Sequence, residues 1–446
     1  MKKAAGHISV ILKGILCIGF SIQIVFGIVW MCFNFAHLQS FQQDSGILYR
    51  GLKGLVGNCF GFLYLLQLLF GFYAADRFLQ KIHPVSSLWR IWGNLVLLTF
   101  PMAMQCHLAV APYSFASSCV LLELSAAISA VRDKGGNTVR EFARGGFFWL
   151  MQALLLPEYF VLGAVPLLLA FVYCMPALFR QLRKFMYTAI LFLAFGGMIV
   201  GSYSLAGEKC LPDKETISFS LFGRMTWPTI WHDYEGWPDE VRAVTDGCIW
   251  EVSQYADNLQ KIFRPLMQEN FTDEQASEYY LQMAEISLKK HPGTIIRQVG
   301  GDILGYGVTP LILPMQLRGE TYVAYSGRNY ELMFMQSPLL TKYYVHYSCR
   351  WFAVMLVLSV LLFLTGQVMQ SGRRVRGSVA SVLLCLLTMG MIVIVYTMRG
   401  AGMMDYKYTV AVNLLWLTAA LLLMRTNHVA GSLEGNVCEE TERKHI

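Results

Sequence analysis

The sequence predicts an all-α integral membrane protein. It reads as a multi-pass helical bundle of about nine to eleven membrane segments, with a mixed extracytoplasmic domain inserted before the last three helices. Three observations predict this. The chain is 55% hydrophobic and only 15% charged, too few charges to keep the surface of a soluble domain in water. Apolar stretches of about 20 residues recur along it, each able to cross ~30 Å of hydrocarbon at about 1.5 Å per residue. Basic residues fall in short clusters between those stretches and alternate as cytoplasmic loops do.

Taken in order, the spans are 8–33, 54–75, 91–110, 112–131, 185–206, 349–369, 378–397 and 408–425. The first follows Met1-Lys2-Lys3 and runs from Ile8 to Cys32 with no small-residue cleavage site, so a retained signal anchor is expected rather than a removable signal peptide. A further apolar stretch, 146–178, is interrupted by Pro157-Glu158-Tyr159 and has basic residues on both flanks: Arg132, Lys134, Arg140 and Arg144 before it, Arg180, Arg183 and Lys184 after it. It should therefore enter and return as a hairpin bent at Pro157, with a first arm too short to cross upright.

The other loops complete the topology. Lys2, Lys3 and Lys13 put the N-terminus in the cytoplasm, and Arg77, Lys81 and Arg90 mark the next inner loop. Arg373, Arg374 and Arg376 mark another, and Arg425 opens an inner tail. Residues 35–53, 207–346 and 399–407 then face outward. The chain divides into an N-terminal transmembrane bundle (1–206), an extracytoplasmic domain (207–346), C-terminal transmembrane helices (347–426) and a charged, disordered cytoplasmic tail (427–446). Within the insert, helical pattern is best from Asp239 to Arg264 and from Thr272 to Lys290. Asp273 and Glu274 favour a start after Phe271, and His291-Pro292 makes the stop. Trp227, Trp231, Tyr234 and Trp237 form an aromatic run suited to anchoring at lipid headgroups or to packing, or else to stacking on a sugar.

A net charge of +7 belongs to the inner loops and does not call for nucleic acid. Most of the 11 cysteines lie in apolar spans, where a thiol acts as a small hydrophobe. Cys210 and Cys248 both fall in the insert, and spacing alone does not settle whether they pair. No C-x-x-C or H-x-x-x-H pair builds a zinc site. No P-loop, G-x-G-x-x-G or G-x-S-x-G is present, which argues against an ATP-driven pump, a nucleotide-sugar Rossmann enzyme and an α/β-hydrolase. No cofactor is predicted, and a divalent metal is neither required nor excluded.

The candidates for chemistry are polar groups set near the outer face. Asp44 is either a general base or an ordinary loop carboxylate. Glu123 falls midway along a span, where an ionisable group is costly without a partner or a wet cavity, and serves catalysis, proton coupling or structure. Gln105 and His107 close the third span on its outer side. Glu158 lines the same cavity or sits among headgroups. Arg399 and Lys407 flank Asp405 and Tyr406 in the last outer loop, at the depth of a lipid phosphate, or snorkel to bulk headgroups.

The first span followed by a loop bearing Asp44 resembles the polytopic GT-C glycosyltransferases, in particular bacterial relatives of the dolichyl-phosphate-mannose protein mannosyltransferases. Similar short motifs are Pro101-Met102-Ala103-Met104-Gln105-Cys106-His107 leading to Pro112-Tyr113-Ser114, Leu156-Pro157-Glu158-Tyr159, Arg224-Met225-Thr226-Trp227-Pro228, and Asp405-Tyr406-Lys407-Tyr408. The chain departs from the family in having one acid where the first loop often has two, and Leu156 where arginine often precedes the proline and glutamate. The resemblance implies transfer of a sugar from a polyprenyl-phosphate donor to a glycan, lipid or protein acceptor on the outer face of a bacterial plasma membrane. It implies Asp44 as the base, with Arg50, Arg399 or Lys407 stabilising the leaving phosphate. The rival expectations are a transporter or flippase of lipid-linked glycans that uses Glu123, and a non-catalytic subunit of an envelope-assembly complex.

Overall fold

The computed structural model describes residues 2–34, 46–57, 59–82, 87–108, 112–132, 137–157, 159–208, 212–254, 258–308, 315–317, 320–322, 339–369, 382–391, 393 and 411–424. These residues form two compact units, the first comprising those up to Glu208, between 310 and Met389 and from Ala411 onward, the second those of 212–308 together with Gly390, Met391 and Val393.

The first unit contains α1 (Lys2–Asn34), α2 (Ile47–Val56), α3 (Phe60–Ile82), α4 (Ser87–Leu98), α5 (Pro101–His107), α6 (Tyr113–Arg132), α7 (Thr138–Leu155), α8 (Tyr159–Phe179) and α9 (Leu182–Leu205). Among the described residues five helices are long and apolar enough to cross a membrane: Ala4–Cys32 within α1, Gly61–Gln80 within α3, α6, α8 and α9. Val10, Ile18 and Val25 on α1 and Leu182, Ile190 and Leu193 on α9 are exposed. Apolar faces of that extent are at home in lipid and not in water. This is a membrane protein with an all-α fold.

Helix α6 is the axis of the first unit, buried along nearly all its length and packed by α3, α7 and α8. Its sequence explains this. Ser114, Ala116, Ser117, Ser118, Ser125, Ala126, Ala127, Ser129 and Ala130 are small enough to let neighbouring backbones approach. The hydroxyls do not go unsatisfied, since Ser117 and Ser118 donate to the Ser114 carbonyl at 3.1 and 2.8 Å and Ser129 to that of Ser125 at 2.8 Å.

One expected span is corrected. The span at 91–110 is broken into α4 and α5 at Thr99-Phe100, because Pro101 has no N–H to give and disfavours helical geometry in the residue before it. The Thr99 carbonyl accepts from the Tyr344 hydroxyl, so the break is satisfied inside the bundle. The first arm of the hairpin starts before its apolar stretch, yet α7 is not among the helices long and apolar enough to cross a membrane. Helix α7 begins at Thr138 and its 18 residues reach about 27 Å. Its charged first turns remain helical because Arg144 pairs with Glu141 at 3.2 Å and donates to Ser125 of α6 at 3.2 Å. The return itself is as expected. Trp149 donates to the Phe160 carbonyl at 2.7 Å, and Phe142 meets Phe171 with ring centroids 6.0 Å apart, so α7 and α8 run antiparallel from a turn at Leu156-Pro157.

The second unit contains α10 (Lys214–Thr226), α11 (Ile230–Asp233), α12 (Asp239–Thr245), α13 (Ile249–Gln254), α14 (Arg264–Asn270), α15 (Asp273–Lys290) and α16 (Pro292–Val308). Phe219, Phe222, Trp237, Phe263, Met267, Tyr280 and Met283 make its core. The helix expected from Asp239 to Arg264 is several short pieces, with a π-helical turn at Leu259–Phe263. The one expected from Thr272 to Lys290 is α15, where Thr272 and Gln275 close a capping box. His291 ends it and Pro292 starts the next helix. The insert was expected to be mixed, but through Val308 its described residues are helical. Beyond them Met315–Leu317 pairs antiparallel with Glu320–Tyr322.

The remaining helices are α17 (Leu339–Met369), α18 (Val382–Met391) and α19 (Ala411–Met424). Helix α17 packs on α1, where the Tyr347 hydroxyl donates to the Gly19 carbonyl at 2.9 Å. A Cβ on Gly19 would enter the Trp351 ring, so only glycine permits that approach.

Candidate functional site

The first unit has a polar junction where α2, the α7–α8 turn and the end of α9 converge. The Gly46 amide donates to the Leu155 carbonyl at 2.9 Å. A side chain at Gly46 would strike the Leu154 carbonyl and come within 2.8 Å of the Tyr203 hydroxyl. Tyr203, from α9, donates to the Ala153 carbonyl at 2.7 Å. Arg50, one turn into α2, forms an ion pair with Glu208 just beyond α9. Three chain segments distant in sequence are thereby fixed at one point.

Helix α2 is amphipathic. Tyr49 is buried, with Leu48, Leu52 and Val56 packed beside it, while Arg50 and Leu55 are exposed. That pattern suits a helix lying in a membrane interface. On its inner side the Tyr49 hydroxyl donates to Gln67 Oε1 at 3.3 Å, and the Gln67 amide donates to the His107 carbonyl at 2.7 Å and that of Cys106 at 3.2 Å. His107 is buried, its Nδ1 2.7 Å from Ser114 Oγ. A polar chain thus runs from α2 through α3 and α5 to α6.

Glu123, nine residues further along α6, is wholly buried. Neither of its carboxylate oxygens has a hydrogen-bond partner among the described residues. An acid in that position, unpaired and away from water, is costly.

Of the residues singled out by sequence, the structure describes Arg50, His107 and Glu123 in full. His107 joins the polar chain, Arg50 is held by Glu208, and Glu123 stands in the same central helix as Ser114. Gln105 has its backbone on α5, and its side chain lies outside the described residues, as do Asp44, Glu158, Arg399, Asp405, Tyr406 and Lys407. Sequence reasoning missed Tyr49, Gln67 and Glu208. Gln67 carries the same signal as Glu123, a polar side chain in mid-span, and the rule that selected one applies equally to the other.

The second unit has its own buried polar groups. Glu215 receives Arg264 at 3.0 Å through Nε and 2.5 Å through a terminal nitrogen. Burial opposes the Arg264 charge, yet the Glu215 carboxylate lifts the guanidinium above its ordinary pKa. Asp233 is wholly buried, accepts from Thr229 Oγ1 at 2.6 Å and lies 3.2 Å from His291 Nε2, which anchors α11 to the break between α15 and α16. Of the aromatic run, Trp237 is core, Trp227 and Tyr234 lean on it, and Trp231 is exposed against Trp250 at 5.3 Å. Cys248 is a free thiol raised in pKa by burial; Cys210 lies outside the described residues. Among the described residues no group of three or more His, Cys, Asp or Glu side chains gathers to hold a metal.

No protein-family model, curated protein or solved structure matches the chain.

Proposed function

We infer that the protein is a membrane glycosyltransferase, moving a sugar from a polyprenyl-phosphate donor to an envelope acceptor at the outer face of a bacterial plasma membrane. One observation carries this reading: the hydrogen bond from Gly46 to Leu155. In sequence, Asp44 precedes Gly46 by two residues and Glu158 follows Leu155 by three, so that bond ties together the two segments that bear the acids. An acid in the first outer loop suits transfer chemistry at a sugar as a general base.

In the proposed reaction Asp44 takes the proton of an acceptor hydroxyl, whose oxygen attacks the anomeric carbon. The bond from that carbon to the phosphate oxygen breaks, and its electrons leave with the polyprenyl phosphate. Arg399 and Lys407 offset the charge that develops there. Arg50 joins them only by exchanging Glu208 for phosphate, since its guanidinium is already paired. The amphipathic pattern of α2 suits a helix at a membrane interface, where a lipid-borne substrate would arrive.

A second reading has its own support. The unpartnered carboxyl of Glu123 favours a transporter of lipid-linked glycans coupled through that residue. Mass spectrometry of envelope glycans and lipid-linked sugars separates the two, in a deletion strain complemented at equal membrane levels. Wild type restoring one sugar modification, with Asp44→Asn failing to restore it, is the outcome expected of the transferase. Full restoration by Asp44→Asn together with failure of Glu123→Gln gives the transporter instead.

A further inference from the structure

We propose that the cavity between α3, α6 and α7 is a binding site for a phosphate-bearing anion, distinct from the junction at Gly46. The cavity measures about 210 Å³ and is lined by Tyr73, Arg77, Gln80, Leu122, Arg144 and Phe148. A single water needs about 10–15 Å³ of such space, so a headgroup-sized ligand has room. Tyr73, Arg77 and Gln80 share one face of α3 by their spacing, and Arg144 and Phe148 share one face of α7. Leu122 and Phe148 add apolar surface to the lining beside the two arginines.

The charges around the cavity do not cancel. Arg144 is oriented from both sides, by Glu141 at 3.2 Å and Ser125 at 3.2 Å, and Glu141 offsets its charge. Arg77 lies over the Tyr73 ring at 5.4 Å and has no carboxylate partner among the described residues. The nearest acid in sequence, Asp76, is occupied by Arg90 at 2.9 Å and by the Gln80 amide at 2.5 Å. Two arginines facing one partly apolar cavity repel each other, and an anion between them turns that repulsion into attraction. Arginine forks match a phosphate in two places at once, and apolar surface beside them suits a phosphate that carries an acyl-bearing ester. Basic pockets between membrane helices hold anionic headgroups by this chemistry. Both arginines belong to clusters that the charge pattern assigns to the cytoplasmic side, so the ligand is the phosphate of an inner-leaflet lipid or free phosphate from the cytoplasm.

The test is native mass spectrometry of the full chain released from detergent, with phosphatidic acid, phosphatidylcholine or inorganic phosphate titrated in. Arg77→Gln is the main variant, because Arg77 is exposed and its loss leaves the ion pairs of α7 intact. Leu122→Phe is the second, filling the cavity while keeping both arginines. Phosphatidic acid held by wild type and weakened at least tenfold by either variant, with phosphatidylcholine indifferent, supports the site with a lipid source. The same variant dependence for inorganic phosphate, without lipid retention, supports the site with a free-anion source. Equal binding of every probe by wild type and both variants overturns the proposal.

Discussion

Glu123 and Glu215 are both glutamates buried in helices, and their surroundings are opposite. Glu215, 3% exposed, meets Arg264 through two nitrogens, and the guanidinium packs 5.0 Å over the Phe219 ring. Glu123, 0% exposed, offers two oxygens that no described residue answers. Burial is common to both, so burial does not distinguish them; the partner does. A buried acid with a forked arginine holds two helices together. A buried acid without one costs stability and calls for a reason outside the fold.

The largest test of this contrast is Glu215→Ala. It leaves a half-buried Arg264 without its carboxylate and with only the Thr216 hydroxyl beside it, which costs about 3 kcal/mol, and the change should appear as a fall in the thermal midpoint of the second unit. Glu215→Ala unfolding at the wild-type temperature would remove the distinction altogether. A smaller effect is expected at the junction. Gly46→Val drives its side chain into the Leu154 carbonyl, an overpacking worth about 1–3 kcal/mol. Limited proteolysis between α1 and α2 should detect it, with faster cleavage than in wild type. Equal cleavage would show that the backbone bond to Leu155 is not what holds that segment.

These two cases also show what was legible in the sequence. The apolar runs and basic clusters marked the membrane class and most helix positions because length and hydropathy act locally. The same holds for α15, where Thr272, Gln275, His291 and Pro292 all signal within a few residues of the ends they create. The break at Thr99 was signalled by Pro101, but length favoured a single span. What the sequence could not supply was pairing over distance. Arg264 lies 49 residues from Glu215 and Glu208 lies 158 from Arg50, and neither spacing carries information about contact. Whether Trp237 packs in a core or anchors at an interface was left open for a related reason, since an aromatic among prolines has the same local pattern in both. The acids of the proposed transfer site were visible only as isolated residues, and Asp44 and Glu158 lie outside the described residues.

The smallest expected change in stability is the most informative. Glu123→Leu replaces an unanswered carboxyl with an apolar group of similar size, and such a swap is nearly neutral or stabilising when no hydrogen bond is lost. The thermal midpoint should therefore stay level or rise, whereas Glu215→Ala lowers it. A large fall for Glu123→Leu would mean that the carboxyl is held as firmly as Glu215, and the contrast would fail. With stability retained, the envelope-glycan measurement decides what the acid is for. Loss of product from a stable Glu123→Leu protein assigns the carboxyl to function, because the fold has no use for it. Full product from that protein makes Glu123 a tolerated cost and removes the support it gives to the transporter reading.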